Sequence, residues 1–224
     1  MFLTEQCPIL LRGWDFFIAT GRLVTSKTKD VTTTGICIAL AVAAGYALLQ
    51  IPNVELITTI SFLAGLFLGS ARGLLVGSLS MLIFSLFNPL GVPFIPVLMA
   101  QVVFMGLAGF TGGLWKPGIR RSKPHLLTIA GLAGTGLLLT LLYDVGTNAG
   151  FALSAGLMAQ IVQIVGAGIA FSVIHLVTNT LFFATLVPAV IAAMKTDTAH
   201  PLLPGPRKAN SNHHSDKENN DHEV

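Results

Sequence analysis

Residues 55–115 read ELITTISFLAGLFLGSARGLLVGSLSMLIFSLFNPLGVPFIPVLMAQVVFMGLAGFTGGLW and carry two charged residues, Glu55 and Arg72. A water-soluble domain does not run this far without charge, because about a quarter of its residues are Asp, Glu, Lys or Arg. The Asn-Pro pair at 88–89 and the Gly/Pro-rich run after it cut the apolar text into pieces of helical length. A bilayer-crossing helix takes about 20 mostly apolar residues. The stretch reads as membrane helices joined by short turns.

The rest of the chain agrees. Of its 224 residues 53% are hydrophobic and 10% charged. That composition excludes an ordinary cytosolic enzyme, a nucleic-acid binder and a disordered chain, and indicates an all-α polytopic membrane protein. Between Val31 and Met194 the charges are Glu55, Arg72, Lys116, Arg120, Arg121, Lys123 and Asp144. Together with the turn signals they predict helices over about 34–50, 55–69, 71–87, 96–115 and 125–148. The apolar stretch from Gly150 to Met194 is too long for one crossing. Its last part, from about Phe171, is the sixth helix, and 151–170 is then an irregular or half-inserted outer segment; a seventh crossing is the alternative.

With the N-terminus inside, six crossings place every Lys and Arg on the cytoplasmic side: Arg12, Arg22, Lys27 and Lys29 before the first helix, Arg72 in the second turn, Lys116 to Lys123 in the fourth, and Lys195, Arg207, Lys208 and Lys217 after the sixth. The expectation is N-in, C-in. Residues 1–30 form a cytoplasmic segment that does not read as a signal peptide. Trp14, Phe16 and Phe17 would anchor it at the membrane surface. Residues 31–195 form the membrane domain and 196–224 a disordered tail. His200, His213, His214 and His222 of that tail read as solvated, with metal binding the lesser alternative. Cys7 and Cys37 suggest no disulfide.

Polar groups in lipid are costly and therefore point to function. In the six-helix arrangement they gather at the outer end: Asn53 and Glu55 in the first outer loop, Asn88 after helix three, Gln101 in helix four, Tyr143, Asp144 and Asn148 on helix five, Gln160 and Gln163 in the outer segment, and His175 and Asn179 on helix six. His175 and Asn179 are four apart and share a helix face. The Asn residues equally suit turns and caps, and His175 equally suits an interhelical bond. Convergence of several segments at one depth favours a pocket open to the outside. With two carboxylates and no Lys or Arg there, a neutral or cationic ligand suits it better than an anion, although helix N-termini also hold anions.

Helix one carries Gly35, Ala39, Ala43 and Ala47 at four-residue intervals, a smooth stripe for close packing within the chain or against another membrane subunit. The pairs Gly65/Gly69, Gly73/Gly77 and Gly109/Gly113 suit internal packing. No G-x-x-x-x-G-K-[ST] loop, zinc spacing or G-x-S-x-G elbow occurs. No cofactor, metal or catalytic residue is expected, and a pocket without an engine implies a partner that supplies energy.

Three segments together carry a resemblance: IPNVELITTISFLAGLFLGSARGLLVGSLSMLIFSLFNPLGVPFIPVLMAQ, LLYDVGTNAGFA and FSVIHLVTNTLFFATLVP. Their order and spacing resemble the substrate-binding S components of energy-coupling factor (ECF) transporters, over about Thr34 to Met194. The resemblance implies capture of a vitamin or related micronutrient at a bacterial or archaeal cytoplasmic membrane. It implies as partners a transmembrane coupling subunit and two ABC ATPases, with no enzymatic activity in this chain. It implies that Gly35, Ala39, Ala43 and Ala47 face the coupling subunit and that the first outer loop closes the pocket. Pocket residues differ among such proteins, so Asn53, Glu55, Asn88, Gln101, Tyr143, Asp144, Asn148, His175 and Asn179 follow by position only. Two rivals remain: a membrane scaffold or assembly protein with no small ligand, and an intramembrane enzyme using Asp144 and His175 for proton transfer.

Overall fold

The computed structural model describes the backbone of residues 8–121 and 126–197, and side chains within 28–116, 126–169 and 171–194. The described residues are helical throughout, joined by turns: α1 Pro8–Leu48, α2 Ile57–Leu68, α3 Ser70–Leu86, α4 Ile95–Arg121, α5 Leu126–Ser154, a short 3-10 turn Met158–Gln160, and α6 Ile161–Asp197. Among the described residues four stretches are long and apolar enough to cross a membrane: Thr28–Leu48, Ile95–Lys116, Leu126–Ser154 and Phe171–Met194. The chain is an all-helical protein with the character of a multi-pass membrane protein.

The short helix is the central one. α2 has 12 residues, about 18 Å of rise. Eight of them are buried, among them Ile57, Phe62 and Leu66. Its neighbours shield it from the surroundings, so its length is not set by the hydrocarbon thickness. Phe62 and Leu66 join Ala108, Leu132, Leu139, Phe183, Val187 and Ile191 in one core cluster, with the Phe62 and Phe183 rings 4.9 Å apart. A second cluster, Ala41, Ile57, Met81 and Met105, lies beside Tyr143 and Phe84.

Small residues set the closest approach. A methyl group added at Gly109 would collide with the backbone of Gly73, and one at Gly65 or Gly73 with the carbonyl of Gly109. α2, α3 and α4 thus touch backbone to backbone, as small residues allow where lipid gives no hydrophobic drive. Gly77 and Gly113 pack in the same way, against Met105 and Ser70. Gly69 does not: it has open space and φ +102° and makes the break between α2 and α3. The helix-one stripe also faces outward. Gly35, Ala39, Ala43 and Ala47 are all exposed, so internal packing is not their role.

Charges mark one end of the bundle. Arg72 on α3 pairs with Asp30 on α1, and the Lys116 ammonium donates to the Phe67 carbonyl 3.1 Å away. The loop 49–56 lies at the other end.

The last apolar stretch departs from expectation. Residues 151–170 are not an irregular segment: α5 continues to Ser154 and α6 begins at Ile161. The break is Gly156, at φ +69°. Its N–H donates to the Leu153 carbonyl (3.2 Å) and that of Leu157 to the Ala152 carbonyl (2.8 Å), a Schellman cap. α1 likewise begins at Pro8, well before Thr34. The expected surface anchors Trp14, Phe16 and Phe17, Cys7 and the four tail histidines lie outside the described side chains.

Candidate functional site

A cavity of about 530 Å³ opens between the loop 49–56 and the facing ends of the helices. That volume suits a small organic ligand. Its apolar wall comes from Leu48 of α1, Met81 and Phe84 of α3, Met105 of α4 and Phe171 of α6. Its polar wall comes from Asn53 and Glu55 of the loop, Gln101 of α4, Tyr143, Asp144, Thr147 and Asn148 of α5, and Ser172 and His175 of α6.

Three ionisable groups meet there. The Nδ1 of His175 is 2.7 Å from Oδ1 of Asp144. A carboxylate only accepts, so Nδ1 carries the proton of this bond. The Nε2 on the far side of the ring faces Oε1 of Glu55 at 3.6 Å, beyond hydrogen-bond length. The His175 side chain is 7% exposed, Asp144 12% and Glu55 21%. Oδ2 of Asp144 and Nε2 of His175 are buried without a hydrogen-bond partner. The Tyr143 ring meets the imidazole edge-on, centroids 5.7 Å apart.

Glu55 has a local partner as well. It stands just before α2, where its Oε2 accepts the Thr58 N–H at 3.0 Å and its Oε1 accepts the Thr58 hydroxyl. A carboxylate at a helix N-terminus is favoured by the unpaired amides and the helix dipole. Burial pushes the Glu55 carboxyl up, but His175 and Thr58 outweigh it and hold the group below its ordinary value.

Asn179 lies one turn below His175 and is fully buried. Its Nδ2 donates to the Thr140 hydroxyl (3.1 Å) and to Oε1 of Glu55 (3.3 Å). The loop is thus tied to α6 from beneath. The Thr178 hydroxyl also lies 3.2 Å from the Asn53 carbonyl, sharing its one proton with the Ile174 carbonyl of its own helix (2.9 Å). Asn53 itself takes φ 59° in this turn, a conformation Asn tolerates better than most residues.

Seven of the nine residues expected from sequence line the cavity: Asn53, Glu55, Gln101, Tyr143, Asp144, Asn148 and His175. Asn179 supports it from below. Asn88 does not take part; its side chain accepts the Leu90 N–H at 2.9 Å and serves the turn after α3. Gln160 and Gln163 are exposed and away from the lining. The amide of Asn148 donates to the Asp144 carbonyl of its own helix (2.8 Å).

Sequence reasoning missed Thr58, Thr140, Thr178 and Ser85, the last donating to Oε1 of Gln101 at 3.0 Å. Only Thr58 left a signal, three residues after a carboxylate at a helix start. Among the described residues no group of three or more His, Cys, Asp or Glu is arranged to hold a metal ion.

No protein-family model, curated protein or solved structure matches the chain.

Proposed function

We propose that the chain is the substrate-capture subunit of an ECF-type ABC importer, taking a vitamin or related micronutrient from the outer side of a bacterial or archaeal cytoplasmic membrane. The observation that carries the reading is the cavity. It is of small-ligand size, mostly apolar, with a few placed polar groups, at the end of the bundle opposite Arg72 and Lys116. On this reading the chain crosses six times, N-in and C-in, with α2 and α3 as short sheltered crossings. The loop carrying Asn53 and Glu55 closes the cavity.

Two further features support it. The stripe Gly35, Ala39, Ala43 and Ala47 faces outward, as a docking face for a transmembrane coupling subunit requires. The chain has no phosphate loop, so energy would come from two partner ATPases. A scaffold would have no need of buried carboxylates around a cavity, which cost stability.

Co-expression with an ECF coupling subunit and its two ATPases tests this. The expected outcome is a four-part complex and ATP-dependent uptake of one compound from a vitamin mixture. A chain that purifies alone and confers no uptake contradicts it.

A further inference from the structure

The cavity wall has a charge imbalance that its ligand would have to answer. Glu55 and Asp144 both line it, and His175 between them is the one basic group in the lining. Arg72 and Lys116 are engaged at the opposite end, where Lys29 also stands, next to Asp30 on α1. With both carboxylates ionised the trio carries one net negative charge with His175 protonated and two with it neutral. Uncompensated charge in an apolar surround is costly.

A helix N-terminus is the usual way for such a wall to hold an anion without Lys or Arg. α2 starts beside the cavity, but the protein's own Glu55, standing just before it, already sets a carboxylate against that terminus and takes the Thr58 N–H at 3.0 Å. A second anion there would meet the Glu55 carboxylate.

The remaining wall matches a cation with an apolar body. Glu55 is the more open carboxylate, about a fifth exposed. Asp144 lies deeper and holds the imidazole by the 2.7 Å bond. Oδ2 of Asp144 and Nε2 of His175 are the buried atoms of this wall without hydrogen-bond partners, and the carboxylate oxygen only accepts. Phe84, Tyr143 and Phe171 bring aromatic rings, which attract cations through their faces.

We propose, resting on the capture reading above, that the ligand is a small organic cation: a protonated amine or cationic heterocycle on an apolar or aromatic body, with its positive end toward Glu55 and Asp144. Positive charge offsets the residual negative charge of the trio, and the apolar body fills the remaining volume.

The test is native mass spectrometry of the purified full chain in a mixture of three charge classes at pH 7.5. The cations are thiamine, pyridoxamine, choline, spermidine and 1-methylnicotinamide; the neutral compounds riboflavin, pyridoxine, nicotinamide and inositol; the anions biotin, pantothenate, folate and nicotinate. The expected result is retention of a cation. Its affinity falls by about tenfold or more in both Glu55→Gln and Asp144→Asn, which keep side-chain size. Thermal unfolding of each variant checks folding, and if one does not fold the other decides. Retention of an anion or a neutral compound, or unchanged affinity in a folded variant, overturns the charge inference while the capture reading stands. Retention of nothing overturns both.

Discussion

His175 on α6 and Asp144 on α5 are joined by a 2.7 Å bond at the wall of the cavity, both side chains nearly enclosed. The contact links Leu126–Ser154 and Phe171–Met194, the two longest of the four described stretches able to cross a membrane, across 31 residues of sequence. Removing one partner leaves the other polar, buried and unanswered. Asp144→Ala is expected to destabilise the protein by about 3 kcal/mol, the cost of breaking a buried pair. Asp144→Asn keeps an acceptor and should cost less. Thermal unfolding in detergent measures both. A double-mutant cycle with His175→Ala should show coupling of about 0.5–3 kcal/mol.

The Glu55 carboxyl lies below its ordinary value of 4.5, with His175 and Thr58 as the cause. A group depressed on folding stabilises the native state above its unfolded pKa. That stabilisation disappears as the pH falls through the folded value. The unfolding temperature should therefore decline on acidification below about pH 4.5. The decline should be shallower in Glu55→Gln, which cannot titrate. Equal slopes in the two proteins would show that Glu55 is not responsible.

The glycines divide into two kinds. Gly109→Ala drives a methyl into the Gly73 backbone, which cannot swing aside as a side chain would. Gly35→Ala meets nothing within 4 Å. The first is expected to cost about 1–3 kcal/mol or more, and the second to be neutral or slightly stabilising, since Ala is the better helix former. Unfolding temperatures of the two single variants are the check.

The outward stripe on α1 gives a separable phenotype. Ala43→Trp should leave unfolding temperature and ligand affinity as they are, because Ala43 is exposed. On the proposed capture reading it should abolish assembly with an ECF coupling subunit, and uptake with it. Co-purification and uptake, measured beside ligand binding, make the comparison. Loss of ligand binding as well would place the stripe inside the working cavity wall.

The legible part of the site was its charge. Glu55, Asp144 and His175 stand out because ionisable groups are rare in apolar text, and the structure brings all three to one cavity. Asn88 carried the same polar signal and serves a turn, since the side chain that binds ligands also suits loops. Thr140 and Thr178 were invisible because helix threonines routinely donate to their own carbonyls, as Thr111, Thr135 and Thr185 do here. Only the folded arrangement distinguishes the two uses.

Helix edges followed the same rule. α3 and the start of α4 lie within a residue of expectation, where Asn-Pro and the Gly/Pro-rich loop mark the chain. The α5–α6 break was misplaced because Gly156 is one glycine among several, and only its positive φ separates it from Gly150 or Gly166. The start of α2 was placed two residues early because Glu55, read as its first residue, stands before the helix and takes the Thr58 N–H.

The most direct test of the account is mass spectrometry of small molecules released from the purified, detergent-solubilised protein, with the Asp144→Ala/His175→Ala double variant as control. The account predicts one micronutrient-like compound at near one per protein, absent from the folded variant. A cavity that releases nothing, even after incubation with a broad vitamin mixture, would contradict substrate capture.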